Sequence, residues 1–204
     1  PEGNTLPEPF NITIVPEGPN FATGIELLSA DSLKGTVGDT LVNALRVATE
    51  DDQGDRIGGV TVFFSSSENV LFNPTVGVSR GNGSVEISLT LACPPGSGTV
   101  GVGLSSSEIA ITIPLRINPG PAAEMVIDQG DGQSGMAGER LDDIALAVKI
   151  TDRCGTRLRR VPVSWIVEPP DAATLEVTVN ATDGQGRAST LVRLGNRSGP
   201  FQVI

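Results

Sequence analysis

A chain of 204 residues with 38% apolar and 19% charged side chains can bury a substantial core, as one large domain or two of ordinary size. Its 25 glycines and 15 prolines exclude long helices and predict an all-β protein of many short strands joined by tight turns. A net charge of −10 argues against nucleic acid as a partner, and the absence of histidine excludes Ser-His-Asp, Cys-His and histidine-zinc chemistry. No apolar run is long enough to span a bilayer, so no membrane insertion is expected, and no charged-then-hydrophobic leader opens the chain.

In chain order, residues 1–20 read as an N-terminal strand, PFNITIVPEGP (9–19), and a linker. The first domain is expected over 21–120. After KGTVGDTL (34–41) comes a strand that buries Leu45, Val47 and Thr49, then one that buries Val60, Val62 and Phe64. SRGNGS (79–84) turns into a strand with Val85, Ile87, Leu89 and Leu91 inside and Ser84, Glu86, Ser88 and Thr90 in water. A last strand, EIAITIPLRI (108–117), precedes a second Pro-rich hinge, INPGPAAEMVID (117–128).

From there the chain repeats itself over 121–204. KGTVGDTL faces SGMAGERL (134–141), LRVATEDDQGDRIGGVTVFF (45–64) faces LAVKITDRCGTRLRRVPVSW (146–165), and SRGNGSVEISLTLA (79–92) faces TDGQGRASTLVRLG (182–195). The offset creeps from 100 to 101 to 103, as small loop insertions would produce. Leu146, Val148 and Ile150, then Val161, Val163 and Trp165, then Ala188, Thr190, Val192 and Leu194 are the inward sets. About seven strands per unit predict two tandem immunoglobulin-like β-sandwiches joined by a short Pro-rich linker, with Phe64 and Trp165 as core aromatics.

The TDGQGRASTLVRLG and GMAGERLDDIALAVKITDRCGTRLRRVPVSW stretches and the NPGPA hinge resemble the bacterial Ig-like domains repeated in tandem in invasin- and intimin-type surface proteins. Thr151, Asp152, Val161, Pro162, Val163, Trp165, Thr182, Asp183, Gly186 and Ala188 carry the resemblance, which spans nearly all of 21–204. The first unit departs from it at Glu50, Thr61 and Ser79-Arg80. The resemblance implies an extracellular, cell-surface stalk, spacer or adhesin shaft rather than an enzyme. No catalytic residue, cofactor or metal is expected.

The repeat is ragged at its ends. No counterpart of strand 108–117 follows GPFQVI, whereas residues 9–19 resemble that strand and precede the first unit. Two explanations stand: a slice of a longer array of Ig-like domains, or head-to-tail filament assembly by strand donation into a neighbouring copy, a homo-polymer. The inserted side chains would be Ile12 and Ile14, or Thr13 and Val15 in the other register. An adhesin-type module is the alternative function, gripping a receptor or glycan through loops such as 65–80 or 167–174.

Cys93 and Cys154 are expected at the N-terminal ends of their respective domains, about 30 to 40 Å apart, too far to bond to each other. Free thiols, or disulfides to another chain or to neighbouring sequence, are the expectations. Asn11, Asn82, Asn180 and Asn196 open N-x-Ser/Thr glycosylation motifs, although Asn82 is read more simply as a turn residue with positive φ. The acidic turns EDDQGDR (50–56) and IDQGDG (127–132) lack calcium-loop spacing and read as solvated.

Overall fold

The computed structural model describes residues 22–104 and 109–204, and among them there is no helix. The first half supplies β1 (Gly24–Leu27), β2 (Leu33–Thr36), β3 (Thr40–Glu50), β4 (Thr61–Ser66), β5 (Val70–Asn73), β6 (Val76–Val78), β7 (Ser84–Leu91), β8 (Gly96–Leu104) and β9 (Ala110–Asn118). One sheet runs β1-β3-β7-β5 and the facing sheet β2-β9-β8-β4-β6. Two antiparallel sheets closed face to face with this crossing order form an immunoglobulin-like sandwich. Among the described residues, only β2 runs parallel to its neighbour, β9.

Strict alternation drives the layers together. In β7, Val85, Ile87, Leu89 and Leu91 are buried against β8 and β9 residues such as Val100, Val102, Ile113 and Leu115. Each such side chain contributes about 1.5–3 kcal/mol on leaving water. Ser84, assigned to water by alternation alone, is buried, and its hydroxyl donates to the Asn82 carboxamide oxygen.

The second half supplies β10 (Ala122–Gln129), β11 (Arg140–Asp152), β12 (Pro162–Ser164), β13 (Val167–Glu168), β14 (Ala173–Leu175), β15 (Val179–Ala181), β16 (Arg187–Leu194) and β17 (Gln202–Val203). Its four-stranded sheet, β10-β11-β16-β14, reproduces β1-β3-β7-β5. The opposite layer is reduced to two short pairs, β12-β15 and β13-β17.

The repeat offset now has a location. Leu41 pairs with Leu89 and Leu141 with Val192, 100 apart; past a register shift in β3 and β11, Leu45 and Leu146 are 101 apart. The first extra residue therefore sits in a β-bulge, not in a loop. The next two enter between Trp165 and β15, the stretch holding β13 and β14. Backbone conformations repeat too: Gly54 and Gly155, and Gly83 and Gly186, share positive φ, and Gly59 (φ 80°) is matched by Arg160 (φ 61°).

Candidate functional site

The two halves meet where β9 hands over to β10 through Pro119-Gly120-Pro121. β7 runs antiparallel to β3 and ends beside it: Gly38 N donates to Leu91 O at 2.7 Å, and Val37 N donates to Asn118 O at 3.0 Å. Cys93 thus leaves β7 at the end of the sandwich that continues into β10. Cys154 sits in the turn after β11, whose last residue, Asp152, reaches back to Gly120. The cysteines lie together and form a disulfide, Cα to Cα 5.6 Å. The expectation of free or intermolecular thiols is overturned, since it placed Cys93 at the wrong end of its strand.

Asp152 organises this joint. Its Oδ2 accepts from Gly120 N at 2.9 Å, and its Oδ1 accepts from Cys154 N at 2.9 Å and Thr156 N at 2.8 Å. Burial pushes the carboxyl up, but the hydrogen bonds from Thr156, Gly120 and Cys154 outweigh it and hold Asp152 below the usual carboxylate value. One carboxylate therefore fixes both the turn carrying Cys154 and the connector. The Arg153 guanidinium lies against Gly38, where any Cβ would collide with it, and Cys154 packs on the first core.

The second feature is a groove of ≈ 750 Å³ along the reduced layer of the second half, with Ile127, Leu141, Leu146, Val148, Val192 and Leu194 in its wall. Comparison with the first half shows its origin. Met125 pairs with Ile150 and Ile127 with Val148, as Ile25 pairs with Thr49 and Leu27 with Val47. All face inward, yet Met125 and Ile127 are 63% and 66% exposed, while Ile25 and Leu27 pack against the first core. Seventeen described residues are buried in the first core and five in the second. The difference is cover: β2, β8 and β9 close the first core, and among the described residues only β17 and the strandless segment 133–136 stand in their places.

No family model matches the chain, and no curated protein matches it. Among solved structures it is similar to the D0-D1 domains of intimin, at 16% identity and TM-score 0.37 over 89% of each chain. It is also similar to the Escherichia coli adhesin FdeC, at 17% identity and TM-score 0.46 over 88% of this chain and 57% of that one. Domains 5-6 of the S-layer protein SbsC match at 17% identity and TM-score 0.37, over 90% of this chain and 96% of that one.

The remaining sequence candidates scatter. Ile12, Thr13, Ile14, Val15 and Asn11 lie outside the described residues. Trp165 is buried in the second core and donates its indole Nε1–H to Asn180 Oδ1 at 3.1 Å; Phe64 is partly buried and stacks on Phe72 at 6.0 Å. Asn180 also donates Nδ2 to Ser189 O at 2.7 Å, a bond that a glycan on that nitrogen would displace. Asn196 is exposed. Asn82 is exposed but does not carry positive φ; Gly83 does, at 76°, and the Asn82 side chain accepts from Ser84 N at 3.1 Å.

Two polar features were missed. The Ser79 hydroxyl accepts from Val60 N and donates to Ile57 O, both at 3.0 Å. At the equivalent place Thr182 accepts from Val161 N at 2.9 Å and donates to Leu158 O. Ser79 thus does the same hydrogen-bonding work as Thr182, and the shared hydroxyl directly after a short strand, β6 or β15, was the available signal. In the acidic turns, Asp51 Oδ1 accepts from Gln53 N at 2.9 Å and Asp55 N at 2.8 Å, which is turn-forming work. Among the described residues no group of three or more His, Cys, Asp or Glu side chains is placed to share a metal ion.

Proposed function

We propose that this chain is a structural segment of an extracellular bacterial surface stalk or filament, built from two tandem Ig-like modules with boundaries near residues 21 and 121. The Cys93–Cys154 bond carries the reading. Disulfides persist in oxidising, extracytoplasmic settings, and this one joins the two cores rather than stapling a loop within one of them. Together with Asp152 it restrains the joint that a spacer must keep stiff. The solved structures it resembles are described as an adhesin, intimin and S-layer proteins, which fits the same setting.

Head-to-tail assembly through a donated strand belongs to this proposal, supported by the likeness of residues 9–19 to the strand at 108–117. The adhesin alternative finds less support, because about half of 65–80 and of 167–174 is taken up by β4–β6 and β13–β14.

The test is small-angle scattering of the oxidised and reduced chain. The oxidised protein should scatter as an elongated particle with one fixed inter-module angle, and reduction should broaden the distribution of maximum dimensions. Identical scattering in both states would remove the reason for reading the chain as a stiffened spacer.

A further inference from the structure

We infer that the turn between β11 and β12 is a binding site for an acidic polysaccharide, whose carboxylate or phosphate groups are held by Arg153, Arg157, Arg159 and Arg160. The inference goes beyond the spacer reading and does not depend on it.

The repeat supplies a control for what this turn needs in order to fold. Asp51 N donates to Asp55 O and Asp152 N to Thr156 O, both at 3.0 Å. Ile57 N donates to Thr49 O and Leu158 N to Ile150 O, again both at 3.0 Å. Gly59 N donates to Ser79 O at 2.8 Å, and Arg160 N to Thr182 O at 2.7 Å. On this common backbone the charge inverts: Asp52, Asp55, Gly58 and Gly59 give way to Arg153, Thr156, Arg159 and Arg160. Folding of the turn therefore does not call for the arginines.

Arg160 sharpens the contrast. Its φ is 61°, where the first half has Gly59 at 80°. Glycine takes this left-handed conformation freely, whereas a long side chain takes it at a cost. Backbone strain of this kind gathers at functional positions.

The four charges are also unneutralised. Elsewhere arginines sit on carboxylates: Arg46 and Arg80 on Glu86, Arg56 on Glu26, Arg187 on Asp128. Among the described residues no carboxylate pairs with any guanidinium of this turn, and Arg157 donates to the Gln185 carboxamide instead. The Asp152 and Asp183 carboxylates nearby are engaged by backbone amides. Four of the 14 basic residues fall within the eight positions 153–160, and none of the 24 acidic ones does. All four arginines are exposed. Leu158 is buried in the second core, which turns its neighbours Arg157 and Arg159 toward solvent, and Cys154 anchors the same turn to Cys93.

The pattern of charge selects the ligand. Guanidinium groups take carboxylate and phosphate oxygens through paired N–H donors. Arg153 reaches toward the first half at Gly38, whereas Arg160 sits beside Thr182 in the second. Charges divided in this way suit anions repeated along a polymer better than one small anion. An anionic membrane is a plane and would also meet the acidic remainder of the chain, which repels it. Nucleic acid is disfavoured because the turn holds no aromatic side chain on which a base could stack.

The test uses the full oxidised chain and a variant carrying Arg153→Asp, Arg159→Gly and Arg160→Gly, the residues of the first half at these positions. The variant should keep the denaturant midpoint of the parent. In titration calorimetry at low salt the parent should bind polygalacturonate or dextran phosphate and not neutral dextran, and the variant should bind about tenfold or more weakly. Added salt should weaken the parent's binding. Arg160→Gly alone, which relaxes the backbone, should weaken binding about threefold and so reads the site even if the triple variant unfolds. Arg116→Asp with Arg193→Asp, the same change in net charge placed elsewhere, should bind like the parent. Undiminished binding by both turn variants, an equal loss in the Arg116, Arg193 control, tighter binding to duplex DNA or to phosphatidylglycerol vesicles than to either polysaccharide, or no binding to any of these would each overturn the inference.

Discussion

Asp152 shows how much of the joint depends on a single carboxylate. Replacing it by alanine leaves the Gly120, Cys154 and Thr156 amides without their acceptor, one of them buried and two partly buried, and should cost about 2–4 kcal/mol in chemical denaturation. Asp51, the matching residue of the first half, serves only Gln53 and Asp55 in an exposed turn, so Asp51→Ala should cost about 1 kcal/mol or less. Acid adds a second signature. Asp152 and Asp183 have lowered carboxyl values, the latter chiefly through Arg187 and Gln185 amide donors. Each binds its proton more weakly folded than unfolded, so the stability it lends is complete above about pH 5 and drains as pH falls below about 4. Denaturant midpoints taken from pH 6 to pH 3 should fall for the parent chain and fall less steeply for Asp152→Ala.

At the level of strands, matched positions in the two halves differ by what covers them. Leu91 and Leu194 end equivalent strands, but Leu91 is 0% exposed while Leu194 borders the groove. Leu91→Ala should cost about 2–5 kcal/mol through the cavity it leaves. Leu194→Ala should cost less than half as much in the isolated chain, and calorimetry showing equal losses would mean the groove is closed in solution. The strands themselves were legible in the sequence, because alternation at 45–49, 60–64, 85–91 and 188–194 needs only side-chain polarity. The depth of burial was not: Leu146 and Leu45 carry the same residue type in the same pattern, and only the strands opposite decide that one is half covered and the other buried. The disulfide was hidden for a similar reason. Whether Cys93 and Cys154 meet depends on which end of β7 faces the connector, and strand direction leaves no trace in local composition.

At the scale of the whole molecule, the Cys93–Cys154 bond ties the two halves together. It closes a loop with sequence separation 61, worth about 4 kcal/mol in the chain-entropy account of cross-links. Cys93→Ser with Cys154→Ser should lower the denaturant midpoint accordingly and separate the unfolding of the two cores into distinct steps, since the second buries far less apolar surface. A single sharp transition retained in the double variant would show that Asp152 and the connector couple the halves unaided.

Tension applied to the two ends of such a molecule would take a short cut. It would run along the backbone to Cys93, cross the sulfurs, and continue from Cys154, so that β8 through β11 sit off the line of pull. Those strands can loosen without letting the tether lengthen. In an optical trap the reduced chain should release about 200 Å more contour than the oxidised one, at 3.3–3.6 Å for each shielded residue.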